Sequence, residues 1–170
     1  MIFSSLDTVA YRVHDPKWAY APTSGSGAGT SGGRANRPGI NALYLSLELE
    51  TALVEYKQMD ALLQPALMVT YCLKVEHLVD FSGGYTNDWD PLWQDFYCDW
   101  RRMYYNEEIE PPSWVIGDQV LATGGRGIIF KSVITGGTNV VLFNDVLSGT
   151  DIIEAYDPNH SLPKNQDSWI

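Results

Sequence analysis

Hydrophobic and polar positions change period several times along the chain. Thr8 to Val13 (TVAYRV) reads as a short strand, and Ala42 to Leu45 (ALYL) as a buried one. Leu49, Ala52, Leu53 and Tyr56 then recur at the i, i+3, i+4, i+7 spacing of an amphipathic helix. Ser46 is its expected N-cap, with Glu48 and Glu50 in the first turn, where the helix dipole favours acids. From Leu67 to Val75 apolar residues alternate with Met68, Thr70, Cys72 and Lys74, which predicts a strand. Asp90-Pro91 is a cap followed by proline at the first helical position, and Trp93, Phe96, Tyr97 and Trp100 mark one face of the predicted helix. Pro111-Pro112-Ser113 opens another, over Trp114 to Ala122. Gly127 to Ile134 and Asn139 to Phe143 read as two closing strands. No regular βαβ rhythm links these elements, so the predicted class is α+β: a single domain over 1–170 with mixed or antiparallel sheets and flanking helices.

Residues 22–41, PTSGSGAGTSGGRANRPGIN, carry too much Gly and Ser for a helix or a central strand and are expected to form a long functional loop. The tail 157–170, with two prolines, is expected to be irregular. The opening MIFSSLDTVAYRVHD lacks the basic start and apolar run of a secretion signal, and no stretch approaches a membrane span. Cys72 and Cys98 read as reduced thiols, and the expected location is the cytoplasm.

Charge narrows the partners. A formal net charge of −10 repels phosphate backbones and anionic lipid, which argues against nucleic-acid or membrane binding by this chain alone. An anionic small molecule would need a basic spot set against the general field. Several motifs fail on context. Gly27 to Gly32 spells G-x-G-x-x-G and Gly29 to Gly33 spells G-x-S-x-G, yet neither has the strand–turn–helix setting that gives those patterns their chemistry. His14, His77 and His160 show no metal-ligand spacing with each other or with the cysteines.

Three residues keep a functional reading. Arg34, within GGRANRPG, offers a planar fork for two phosphate oxygens beside glycines that allow close backbone approach; a solvated loop arginine is the alternative. Tyr44 either stacks on a ligand ring or packs in the core. Glu55 lies at the flank of its helix's apolar stripe, and its neighbours Thr51, Ala52, Gln58 and Met59 include no base, so no ion pair within the helix occupies it. A carboxylate at a cleft edge can stabilise positive charge on a sugar ring; a solvated glutamate is again the alternative.

The run from Tyr11-Arg12 through GGRANRPGINALYLSLELETALVEY resembles the first half of a RES domain. Gly32, Gly33, Arg34, Asn36, Gly39, Tyr44, Ser46, Ala52 and Glu55 stand at places matching the family pattern. Gly117-Asp118 and Ser132 in IIFKSVITGGTNVVLF resemble its second half, where a serine follows a strand and an Asn comes several residues later. Ala35 departs from the pattern, where tryptophan is usual, and Phe143-Asn144-Asp145 replaces an Asn-Pro-x-His. The resemblance implies an ADP-ribosyltransferase-like fold and a toxin of a type II toxin–antitoxin system that consumes NAD⁺ at the nicotinamide–ribose bond, by hydrolysis or phosphorolysis. NAD⁺ would be the substrate, with no cofactor or metal, and the partner an Xre-like antitoxin covering the site. Arg12, Gly33 and Arg34 would hold the dinucleotide, Tyr44 would stack on nicotinamide, Glu55 would be the catalytic carboxylate, and Ser132 would hydrogen-bond within the pocket. Two other functions use the same residues: a mono-ADP-ribosyltransferase with a protein acceptor, and an inactive nucleotide-binding module.

Overall fold

The computed structural model describes residues 1–58 and 60–169, without the side chain of Trp169; Met59 and Ile170 lie outside the described residues. Strand β1 runs from Phe3 to His14, well beyond the short segment predicted. A short helix α1, Ser26–Ser31, then interrupts the Gly/Ser-rich stretch, contrary to the expectation of loop throughout. Local propensity is overridden by hydrogen bonds. The Asn36 amide donates to the Ala28 carbonyl at 2.9 Å, and the Gly39 N–H to the Gly29 carbonyl at 2.8 Å.

Strand β2 covers Ala42–Ser46 and helix α2 Leu49–Lys57. Ser46 is therefore the last residue of a strand, and the expected N-cap is corrected: Glu48 holds that position and makes no side-chain cap. The apolar stripe is corrected too. Thr51 and Ala52 are buried, whereas Leu49 and Leu53 face outward, because α2 packs on β1 and β2 through its smaller residues. Strand β3, Leu67–Asp80, extends past Val75. Asp90 caps as predicted, accepting from the Leu92 N–H, yet only a short 3₁₀ turn over Pro91–Asp95 follows. Residues 96–98 run on as turn and bend rather than helix, and a π turn over Arg102–Asn106 follows beyond the predicted face. Helix α3 is Pro112–Ala122, strand β4 Gly127–Lys131, strand β5 Thr138–Phe143, and strand β6 Ile152–Ala155. β6 has no counterpart among the predicted elements, and β4 ends three residues before the predicted Ile134.

The six strands pair in the order β1-β2-β5-β4-β3-β6, and β1 also pairs with β3, so five of them close on themselves. Closure is uneven. β1 and β3 are antiparallel from Phe3–Val79 to His14–Leu67, whereas β1 meets β2 only at Tyr11–Ser46. Beyond that single bridge the strands part, and the gap becomes the site.

One core fills the closed sheet with Ala10, Leu43, Leu45, Val69, Leu73, Val140 and Leu142. A second lies between the sheet and α3, where Phe81, Trp93, Phe96, Ile116, Ile128 and Val141 meet. Alternate residues of β5 feed the two cores, so that strand is buried on both faces. Sheet and helices mixed in this way make the α+β class predicted.

Candidate active site

The segment Gly32–Asn36 is held from three sides. The Trp114 indole N–H donates to the Gly33 carbonyl at 2.7 Å. The Tyr44 hydroxyl accepts from the Ala35 N–H at 2.9 Å and donates to Asn36 Oδ1 at 2.7 Å. The Asn36 amide also donates to the Ile40 carbonyl at 2.9 Å. Packing is tight enough to dictate residue type: a Cβ on Gly33 would stand 2.5 Å from the Tyr44 hydroxyl, and one on Gly117 1.9 Å from the Ala35 carbonyl oxygen. Ala35, where the family pattern has tryptophan, is fully buried beneath α3. Behind it, Arg37 pairs with both Glu110 and Asp118, tying the loop's far end to α3.

Tyr44 is thus a strut as well as a cleft wall. Burial pushes its phenol well above the ordinary range, so the hydroxyl stays protonated. Its hydroxyl is committed to the loop, and only the ring is left to meet a ligand.

Arg34 leaves this rigid loop and is not a solvated side chain. Its Nη1 donates to the carbonyls of Phe96 and Cys98 at 3.3 and 3.2 Å, and the guanidinium lies 5.6 Å from the centre of the Tyr97 ring. Arg12 comes from β1, and its Nη1 donates to the Tyr44 carbonyl at 2.7 Å, while its buried Nε has no partner. Burial weakens the hold of both guanidinium groups on their protons, and neighbouring Tyr, Cys and Glu55 side chains partly restore it at Arg34.

Glu55 stands on α2, half-buried, with Oε1 accepting from the Asn139 amide at 2.9 Å. Asn139 Oδ1 in turn accepts from the Ser46 hydroxyl at 2.7 Å. Ser132 ends up in the turn after β4, where its Oγ accepts from the N–H groups of Ile134 and Thr135, both at 3.2 Å. That explains why the strand stops at Lys131. The Ser132 hydroxyl shapes a turn, and its proton is what it has left to offer a ligand.

Arg12, Gly33, Arg34, Tyr44, Glu55 and Ser132 all border one cleft of about 440 Å³. The cleft therefore unites every site residue proposed from the sequence. It also adds Arg101, Lys131 and Trp100, which have no functional reading from the sequence, and Asn139, the asparagine that follows Ser132 in the family-like second half. No local pattern marks Arg101 or Lys131: Arg101 is one of two adjacent arginines, and Lys131 occupies an ordinary strand position. Arg101 covers the Trp100 ring at 4.6 Å, and Lys131 Nζ donates to Thr138 at 3.1 Å. Four cations, Arg12, Arg34, Arg101 and Lys131, thus face a single carboxylate, Glu55. Among the described residues none of the four is ion-paired; the pairs fall on Arg37, Arg102 and Arg126. This is a basic spot inside an acidic molecule.

The RES domain family model matches residues 9–163. The chain belongs to the RES domain family. No curated protein matches it. Among solved structures it is similar to a chain in the crystal structure of the MbcT–MbcA toxin–antitoxin complex of M. tuberculosis, with a TM-score of 0.60 and 17% identity over 91% of this chain and 84% of that one. At that identity the likeness speaks for the fold. In the RES pattern seen here, the glycines, Asn36 and Tyr44 build the loop, while Arg34 and Glu55 are the groups it presents to the cleft.

Proposed function

We propose that this RES protein is an NAD⁺-consuming toxin, active in the cytoplasm and held in check by an antitoxin that covers the cleft. The observation that carries the proposal is the pairing of one carboxylate with several unpaired cations in a single cleft of a chain whose net charge is −10. A dinucleotide matches that arrangement: a doubly charged pyrophosphate for the guanidinium forks, and a cationic pyridinium ring near the carboxylate. Antitoxin control is proposed from the family and from the fold shared with a chain of a toxin–antitoxin complex.

Arg34 and Arg12 hold the pyrophosphate, with Arg34 keeping Nη1 on the Phe96 and Cys98 carbonyls and offering its remaining N–H groups. The Tyr44 ring supports nicotinamide. The C–N bond breaks with its electron pair going to the ring nitrogen, which becomes neutral, so no acid is needed to help it leave. The ribose left behind has oxocarbenium character, and Glu55 faces it with Oε2, the oxygen that Asn139 does not engage. Water then adds at the anomeric carbon and releases one proton, giving nicotinamide and ADP-ribose.

Purified protein incubated with NAD⁺ alone tests the reading. Steady release of free nicotinamide is expected. Release that starts only when cell lysate is added makes the acceptor a protein and the enzyme a mono-ADP-ribosyltransferase. Reversible NAD⁺ binding with no release under either condition leaves an inactive nucleotide-binding module.

A further inference from the structure

We infer that Asn139, oriented by Ser46, is the positioning residue that aims Glu55 at the reacting ribose. The inference rests on the proposed role of Glu55 in NAD⁺ cleavage. Asn139 lies on β5, in register with Ser46 of β2 on one side and Phe130 of β4 on the other. It is 7% exposed and begins a run, Asn139 to Phe143, that is otherwise apolar and buried throughout. A buried amide there must have both ends satisfied, or its desolvation goes uncompensated.

Both ends are satisfied, and in one sense only. A carboxylate can accept but not donate, so the amide nitrogen must face Glu55. The oxygen then faces Ser46, whose hydroxyl must donate. The chain Ser46–Asn139–Glu55 runs from β2 through β5 to α2, so the sheet fixes a side chain that stands on the helix.

Glu55 needs such a hold. Three rotatable bonds separate its carboxylate from the backbone, and Arg12, Arg34, Arg101 and Lys131 all line the same cleft. Released, the carboxylate would be drawn onto one of these cations, removing both from use. Asn139 holds Oε1 and leaves Oε2 free, directed before the substrate arrives. Because the ribose cation develops only towards the transition state, loss of this alignment belongs in kcat rather than in KM.

The test is a double-mutant cycle on nicotinamide release, using wild type, Asn139→Ala, Glu55→Gln and the double variant. Asn139→Ala is expected to lower kcat about 10- to 100-fold, the usual range for losing a hydrogen bond to a charged group, with KM little changed. In the Glu55→Gln background the same replacement is expected to change little. Ser46→Ala should lower kcat by less, and Ser46→Thr, which keeps the hydroxyl, should stay near wild type. If Asn139→Ala fails to fold, Asn139→Asp has the same shape but presents an oxygen where Glu55 needs an N–H, and the same loss is expected. Equal losses in both Glu55 backgrounds, a rise in KM at constant kcat, or wild-type kcat in Asn139→Ala would each overturn the positioning role while leaving NAD⁺ cleavage intact. Absence of release from the wild type overturns the cleavage reading, and this inference with it.

Discussion

The Arg12 guanidinium donates to the Tyr44 carbonyl at 2.7 Å, across the gap where β1 and β2 have stopped pairing. A side chain takes over where the backbone ladder ends, and both residues line the cleft. Arg12 therefore both braces the fork and supplies charge, so stability and binding should fall together on its replacement. Arg12→Met is expected to cost about 1–3 kcal/mol, the range for a buried acceptor left unpaired, and to weaken NAD⁺ binding. Chemical denaturation and calorimetric titration on the same sample check both effects; a variant that binds normally would restrict Arg12 to the fork.

Arg34 tests the fork differently. Its Nη1 is already engaged by the Phe96 and Cys98 carbonyls, so the guanidinium must serve protein and ligand together. A lysine ammonium cannot span both. Arg34→Ala is expected to weaken NAD⁺ binding by roughly 10- to 100-fold, in line with loss of charged hydrogen bonds, and Arg34→Lys to recover little of it. Wild-type affinity in Arg34→Lys counts against two-pronged contact.

The cleft depends on α3, which lends it no side chain of its own except through the loop it braces. A Cβ at Gly117 would collide with the Ala35 carbonyl, pushing the Arg34 loop outward. Gly117→Ala should therefore destabilise by about 1–3 kcal/mol, as overpacking does, and should also impair NAD⁺ binding from outside the cleft. Thermal melting with and without NAD⁺ separates the two effects; unchanged binding in a destabilised variant would mean that the loop yields without moving Arg34.

His14 gives a pH signature. Its ring is buried beside Arg12, and burial, reinforced by the Arg12 charge, pulls its pKa from 6.5 to about 4. The Tyr71 hydroxyl donates to the Pro22 carbonyl at 2.7 Å, so His14 Nε2 must be the donor in their 2.5 Å contact, which the neutral ring can supply. The unfolded chain then binds more protons than the folded one between those values. The stability tied to neutral His14 is present above pH 6.5 and is lost as the pH falls towards about 4. The loss is at most roughly 3 kcal/mol. Denaturation curves at pH 7 and pH 5 should show a smaller acid loss in His14→Gln than in wild type, and equal losses would remove His14 as the cause.

Much of the site was legible because its parts are local. Arg34 sits in a short glycine-flanked motif, and Glu55 has no basic partner within its own helix, so both keep a functional reading from the residues even though the stripe expected beside Glu55 is not the face that packs. What escaped depends on distant partners. Ser46 looks like a cap because serine before acidic residues usually is one; its hydroxyl instead serves Asn139 on a strand paired to its own. The Gly/Ser-rich stretch forms α1 because Asn36 and the loop beyond supply hydrogen bonds that composition does not reveal. Trp93, Phe96 and Trp100 are buried as an apolar face should be, yet the backbone there is a 3₁₀ turn followed by turn and bend, which hydrophobic spacing cannot distinguish from a helix. Arg101 and Lys131 become cleft residues only once the sheet closes.

The most direct test of the account is nicotinamide release from NAD⁺ by wild type and by Glu55→Ala, with NAD⁺ affinity and melting temperature measured on both. Glu55 is half-buried on α2, so the variant should still fold and bind, with a stability loss of about 1–3 kcal/mol from the Asn139 amide left without its acceptor. Its release rate should drop on the order of 100- to 1,000-fold, the usual consequence of removing one group that stabilises transition-state charge. A folded Glu55→Ala protein that releases nicotinamide at the wild-type rate would contradict the account.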